Sequence, residues 1–384
     1  MDLLNYFVPV EIKKEYLPNQ MGSKLRLITS EEDLEGIDVV LLDVQEDRYS
    51  DNIGCAKAGS EIRRYFYQLY QGDYKLNVAD LGSLRAGNSV EDTYFALEES
   101  LVYLMKKQIL PIIIGGSQDL TFANYKAYVH LEQMVNLVSI DEKFALGDNS
   151  SKINSRNYLS KLLFQQPNVL FNYSNLGYQS YFVDKQELNV LDELFFDIYR
   201  LGLLKSNLRL AEPIIRNADF ISFNMSAVSQ SFAAANANAS PNGFTGEEAC
   251  QLARYAGMSD KLTSIGFYEF NPSIKDGGMT AHLMAQMIWY FIDGFYNRKK
   301  DFPACNKTDY IKYTVAINEG NQEIVFYKSP KSDRWWMEVP YASGLTKKYE
   351  RHLMLPCNYE EYKIATQNEI PERWFQTFKK LKRG

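Results

Sequence analysis

Short, wholly apolar runs alternate with longer segments of helical period from residue 37 to about residue 298. Asp38-Val-Val-Leu-Leu-Asp43 is the first such run, suited to a strand covered on both faces. A helical stretch at roughly 57–71 follows, then the strand-like Leu76-Asn-Val-Ala-Asp-Leu81. Residues 91–107 space Phe95, Leu97, Leu101 and Leu104 as a helix does, and Ile109-Leu-Pro-Ile-Ile-Ile114 ends on the pair Gly115-Gly116. The cycle continues with a helix near 120–132 and the strand Asn136-Leu-Val-Ser-Ile-Asp141. Later strands are expected at Val169–Asn172, Phe220–Phe223 and Ser264–Glu269, and helices at about 187–205, 245–257 and 279–297. Thr245-Gly-Glu-Glu248 has the form of a capping box, in which the Thr side chain accepts from the Glu amide while the Glu side chain reaches back.

Strands alternating with helices imply an α/β fold of three layers, α/β/α, around a mainly parallel sheet. Ligands of such sheets bind beyond the carboxyl ends of the strands, so functional residues are expected immediately after each strand. From about residue 301 the pattern changes. Tyr310–Ile317, Glu323–Tyr327 and Arg334–Val339 read as a β-meander, followed by a helix opened by Pro371. The expected division is an α/β domain over 1–300 and a β-rich C-terminal extension over 301–384.

Composition narrows the function classes. The 384 residues exceed the usual single-domain size, and 46% of them are hydrophobic, enough for a sizeable core. A net charge of −6 gives no footprint for nucleic acid; the basic cluster Lys379, Lys380, Lys382 and Arg383 suits a helix C-terminus. The N-terminus lacks the pattern of a signal peptide, and the most apolar late stretch is interrupted by His282, Gln286 and Asp293, so no membrane span is expected. Cys55, Cys250, Cys305 and Cys357 are scattered without a CxxC pair, which fits free thiols in a reducing, cytoplasmic compartment.

The strand ends carry a resemblance. Gly54-Cys-Ala-Lys-Ala-Gly-Ser-Glu-Ile-Arg-Arg64, Ala79-Asp-Leu-Gly82, Pro111-Ile-Ile-Ile-Gly-Gly116, Ser240-Pro-Asn-Gly-Phe-Thr245 and Tyr268-Glu-Phe-Asn-Pro272 occur in the order of the conserved segments of ureohydrolases. The chain thus resembles the superfamily of arginases, agmatinases and formimidoylglutamases over roughly residues 37–298. The resemblance implies hydrolysis of C–N bonds in linear amidines by two manganese ions, held by two His and four Asp, that ionise a bridging water. Two dications about 3.5–4 Å apart repel strongly unless carboxylates lie between and around them.

At the matching positions this sequence departs from the pattern. The Asp-His after the Gly-Gly pair is Ser117-Gln118. The Asp-Ala-His-x-Asp segment is Asp141-Glu-Lys-Phe-Ala145, so Asp141 remains while Lys143 and Ala145 replace the His and the second Asp. The Ser-Phe-Asp-x-Asp segment is Ser222-Phe-Asn-Met-Ser226, with Asn224 and Ser226 in place of acids. Of six ligand positions only that of Asp141 keeps a ligand, so neither bound metal nor another cofactor is expected, and no catalytic residue is assigned. Displaced oxygen ligands could come from Asp119, Glu142 or Asp148, but His130, His282 and His352 fall outside the strand-end loops. Glu269 matches the family acid that orients the substrate's cationic nitrogen group.

The candidate site is therefore a degenerate pocket of Gln118, Asp141, Lys143, Ala145, Asn224, Ser226 and Glu269. Lys143, two residues from Asp141 and on the same face if the strand continues, is expected within salt-bridge reach of Asp141, of Glu269 or of a water joining them. Three functions stay open: a non-catalytic binding or scaffold module, a hydrolase of linear amidines with an altered or absent metal site, and a sensor of a cationic amino-acid derivative. A protein partner engaging the extension, and a homo-oligomer, are open as well.

Overall fold

The computed structural model describes residues 3–11, 15–148, 152–303, 307–317, 320, 322–341 and 346–383. Ten strands build the main sheet: β1 (Phe7–Val8), β2 (Arg26–Leu27), β3 (Val39–Val44), β4 (Val78–Leu84), β5 (Leu110–Ile114), β6 (Val135–Ile140), β7 (Leu170–Tyr178), β8 (Asp197–Arg200), β9 (Phe220–Asn224) and β10 (Ser264–Tyr268). Their order is β1-β4-β3-β5-β10-β9-β6-β7-β8, with β2 also on β4. Only β1 runs antiparallel to its neighbour.

Strand alternation divides the core into layers. Val39 and Leu41 of β3, with Leu110, Ile112 and Ile114 of β5, face the helices at 58–66, 246–257 and 279–296. Val40, Leu42 and Ile113 face the opposite way, towards helices 90–106 and 120–130. A strand with both faces buried needs a continuous apolar run rather than alternation, which is why these strands were legible. The Thr245 capping box forms as expected: its hydroxyl accepts from Glu248 N at 3.2 Å, and Glu248 Oε2 accepts from Thr245 N at 2.8 Å.

The expected helix over 187–205 is a helix at Lys185–Glu193, strand β8, and a short helix at Leu201–Ser206. Leu194 closes the first helix, and Phe195 takes a left-handed φ of 57°, which stops helical propagation. The expected strand 169–172 begins one residue later and extends to Tyr178. Its continuation looks polar in sequence, but Asn172 is buried and donates to Asp197 Oδ2 at 2.8 Å and to Ser174 Oγ at 3.1 Å.

A separate antiparallel sheet follows: β11 (Ile311–Ile317), β12 (Gln322–Lys328), β13 (Trp335–Glu338) and β14 (Met354–Cys357). β14 and a helix at Tyr359–Thr366 precede the expected final helix, Glu372–Arg383; neither was anticipated. This sheet packs beneath the main one. Arg216 donates to the carbonyls of Trp335 (3.3 Å) and Cys357 (3.1 Å) and lies 4.7 Å over the Trp336 ring. Arg351 pairs with Asp219, the residue preceding β9, at 2.7 Å. The extension therefore meets the amino ends of the strands, leaving their carboxyl ends open. Among the described residues, no helix is long and apolar enough to cross a membrane.

Candidate active site

Parallel pairing aligns the carboxyl ends of β5, β10, β9 and β6 side by side. Gln118 follows β5, Glu269 follows β10, Asn224 ends β9 and Asp141 follows β6. They line one cavity of about 240 Å³ together with Lys143, Ala145 and Ser226, so all seven residues singled out from the sequence converge there. The Gly pair lets the end of β5 approach β10 on one side and the loop after β3 on the other. A Cβ on Gly115 would stand 2.1 Å from the Tyr268 ring, and one on Gly116 would stand 1.8 Å from the Glu46 carbonyl.

Glu269 is the most tightly held acid of the site. Its carboxylate accepts from Gln118 N at 2.8 Å, Asn52 Nδ2 at 3.0 Å and Ser50 Oγ at 3.2 Å. Its backbone has φ of 69°, uncommon for a residue with a Cβ. Asn52 Nδ2 and Asn236 Nδ2 both donate to its carbonyl, at 2.9 and 2.8 Å, and its own amide donates to Gly116 O at 3.0 Å. Such a conformation persists only where the surroundings over-determine it. Burial pushes the carboxyl up to about 7, against the lowering effect of its donors.

Asp141 is held by neutral groups. Asn224 Nδ2 donates to it at 3.2 Å and to Gln118 Oε1 at 2.7 Å, while Ser226 Oγ donates at 3.3 Å. Burial raises its pKa, opposed by the amide of Gln118, the field of Lys143 and the amide of Asn224. Lys143 departs from expectation: its ion pair is with Glu142, at 3.6 Å, rather than with Asp141 or Glu269. β6 ends at Ile140 and residues 142–143 bend, so positions 141 and 143 do not share a strand face. Glu142 is buried, one of its oxygens has no hydrogen-bond partner among the described residues, and burial pushes its carboxyl up to about 7.

The remaining candidates lie elsewhere. Asp119 is fully buried and accepts from Ser117 and Tyr94, and does not line the cavity. His130 lies beside Glu98 and Glu99, His282 stacks on Tyr65, and His352, in the extension, is buried against Phe171 of β7. Cys55, Cys250 and Cys357 are buried free thiols, and Cys305 lies outside the described residues. Among the cavity residues that sequence reading missed are Asp51, Arg156, Phe182 and Glu187. Arg156 Nε donates to Asp51 Oδ2 at 2.9 Å, joining the loop after β3 to the loop after β6 at the rim. Nothing in their local sequence marks those loops as neighbours.

The residues present do not fit a manganese pair. Hard dications need carboxylate oxygens and imidazole nitrogens. Here the Gln118 amide oxygen already accepts from Asn224, the Ser226 hydroxyl is turned to Asp141, Ala145 offers no donor atom, and Lys143 brings a positive charge. Among the described residues no group of three or more His, Cys, Asp or Glu is arranged to hold a metal ion.

Fold and site together define a ureohydrolase-type architecture, a parallel sheet whose central strand ends share one cavity. A sequence model of the arginase family matches residues 37–293, and the chain belongs to that family. It is 24% identical over 287 residues to a formimidoylglutamase of Streptococcus gordonii, covering 67% of this chain and 84% of that one. A formimidoylglutamase of Clostridium tetani is 22% identical over 267 residues, covering 62% and 76%. The fold is similar to that of the formimidoylglutamase from Bacillus subtilis, with TM-score 0.66, 15% identity, and coverage of 76% of this chain and 97% of that one. It is also similar to a Trypanosoma cruzi formiminoglutamase solved with Mn2+, with TM-score 0.65, 16% identity, and coverage of 73% and 99%.

Proposed function

We propose that this chain is a ureohydrolase-fold binding protein that takes the amidinium or guanidinium group of a small cationic amino-acid derivative into the strand-end cavity, without two-metal hydrolysis. The observation that carries the proposal is the pairing of a retained, over-determined Glu269 with a neutralised set of ligand positions. Three donors hold the Glu269 carboxylate, leaving acceptor capacity for one planar cation from the cavity side. A volume of about 240 Å³ suits an amino-acid-sized ligand; pockets for drug-sized molecules run to roughly 300–1,000 Å³. The extension, docked at the opposite end of the strands, is free to act as a scaffold or partner surface while the cavity is occupied.

Calorimetric titration with agmatine, arginine and formamidine in the presence of a chelator tests this reading. At least one should bind saturably to the parent protein and at least about tenfold more weakly to Glu269→Gln, a difference of about 1.4 kcal/mol. Absence of saturable binding by all three, or equal binding by the variant, contradicts it.

The relatives support a second reading, hydrolysis of a linear amidine such as a formimino compound. Glu269, which lines the cavity and whose carboxyl burial pushes up to about 7, has the proton affinity of a general base at neutral pH. Release of formamide or urea in the chelator-treated protein would favour this reading over binding alone.

A further inference from the structure

We propose that the groove beside the strand-end cavity is a second ligand site, which takes a small carboxylate with an apolar body. The groove measures about 410 Å³ and opens between the loop after β7 and the short helix after β8. It borders the first cavity: the segment after β7 gives Phe182 to the cavity and Tyr181 to the groove.

The two hollows differ in charge. Four acids, Asp51, Asp141, Glu187 and Glu269, line the cavity against two cations, Lys143 and Arg156, whereas the groove is lined by Arg200 and Lys205 and, among the described residues, by no acid, in a chain of net charge −6. Lys205 is already neutralised, 3.2 Å from Glu248. Arg200 is not. Its Nε donates to the Tyr178 hydroxyl at 3.1 Å, and among the described residues its two terminal nitrogens have no partner. A guanidinium fixed through Nε presents the remaining N–H groups as a planar fork, the geometry that a carboxylate accepts in two parallel hydrogen bonds. Beside this fork stand Leu201, Leu203 and Pro241, with Leu203 exposed. An apolar wall against an uncompensated guanidinium fits an alkyl or aryl carboxylate. Inorganic phosphate would satisfy the charge and leave the wall bare.

The test is titration of the full chain with benzoate, hexanoate and inorganic phosphate, followed by amide NMR shifts and calorimetry. Benzoate or hexanoate should bind saturably, with shifts centred on residues 178–182 and 200–205. Arg200→Gln should weaken that binding at least about tenfold. Arg200→Lys, which keeps the charge and loses the fork, should also weaken it, and Leu203→Asn should do so through the apolar wall. Both side chains are exposed, so the variants should melt with the parent. The proposal is overturned by absence of saturable carboxylate binding, by unchanged affinity in Arg200→Gln and Arg200→Lys, or by phosphate binding as tightly as benzoate.

Discussion

The Asn224 carboxamide nitrogen lies 2.7 Å from Gln118 Oε1 and 3.2 Å from Asp141 Oδ2, donating one hydrogen to each. Its oxygen accepts from Ser226 N at 2.9 Å, so the amide is satisfied on every side that this pocket presents. An acid at this position could not make either donation, and it would set a second carboxylate against Asp141. The pocket is thus organised around an amide, not merely short of a ligand.

Asn224→Asp should therefore destabilise the fold. A buried carboxylate facing another, with a donor lost between them, is expected to cost at least about 2 kcal/mol at pH 8, where a neutral unsatisfied group costs roughly 1–3 kcal/mol and a charged one more. Acidification should reduce the deficit, because like charges raise the pKa of the pair and protonation relieves the repulsion. Urea unfolding at pH 8 and pH 5 reads both effects; equal stability of variant and parent at pH 8 excludes the amide-centred arrangement.

Lys143→Met should have a small effect. The Lys143 side chain is 34% exposed and its partner Glu142 is nearly buried. Loss of the ammonium drives Glu142 further towards its protonated form instead of leaving a charge unpaired, so the expected cost is about 1 kcal/mol, near the upper end for exposed pairs. Adding Glu142→Gln should recover most of it, whereas adding Asp141→Asn should not. A double-mutant cycle in which Asp141 couples to Lys143 more strongly than Glu142 does contradicts this placement.

Glu269 gives the fold a pH dependence of definite sign. Its folded pKa is raised to about 7 from an ordinary 4.5, so its contribution is fully present below about 4.5 and is lost as pH rises through 7. Glu269→Gln keeps the shape without the charge. Relative to the parent it should gain stability over this window at up to about 1.4 kcal/mol per pH unit. Parallel stability–pH curves for the two proteins would show that the carboxyl is not held protonated.

His352 acts in the opposite direction. The ring is buried, stacks on Phe171 at 4.2 Å, and has no hydrogen-bond partner on either nitrogen among the described residues. Burial, then the charges of Lys261 and Arg351, hold its pKa well below 6.5. Asp219 is already paired with those two cations, at 3.5 and 2.7 Å. A depressed folded pKa stabilises above the unfolded value, and that stability is lost as pH falls below about 6.5. His352→Leu should flatten the acid limb of the stability profile between pH 6.5 and 5. An unchanged limb would mean the imidazole is reached by water or protonated in place.

Legibility followed burial pattern. β3, β5, β6, β9 and β10 are apolar runs, and the marked ends of β5, β6, β9 and β10 assembled the seven-residue pocket. β8 stayed hidden because Asp197-Ile-Tyr-Arg200 sits between two helices whose combined period reads as one. β14 was missed because Met354-Leu-Pro-Cys357 is four residues long and is set by pairing with β13. Lys143 was placed on the wrong partner because face-sharing assumes an extended chain, and the chain bends there. Arg156 and Asp51 meet only through tertiary contact, which no local pattern encodes.

Metal content tests the central claim most directly. Protein purified without chelator, equilibrated with Mn2+ and freed of unbound ion, is digested and its manganese measured per chain by mass spectrometry. Two amides, a hydroxyl, an alanine and an ammonium at five former ligand positions predict far less than one tightly held ion per chain. Two manganese ions per chain would contradict the account and return the protein to two-metal hydrolysis.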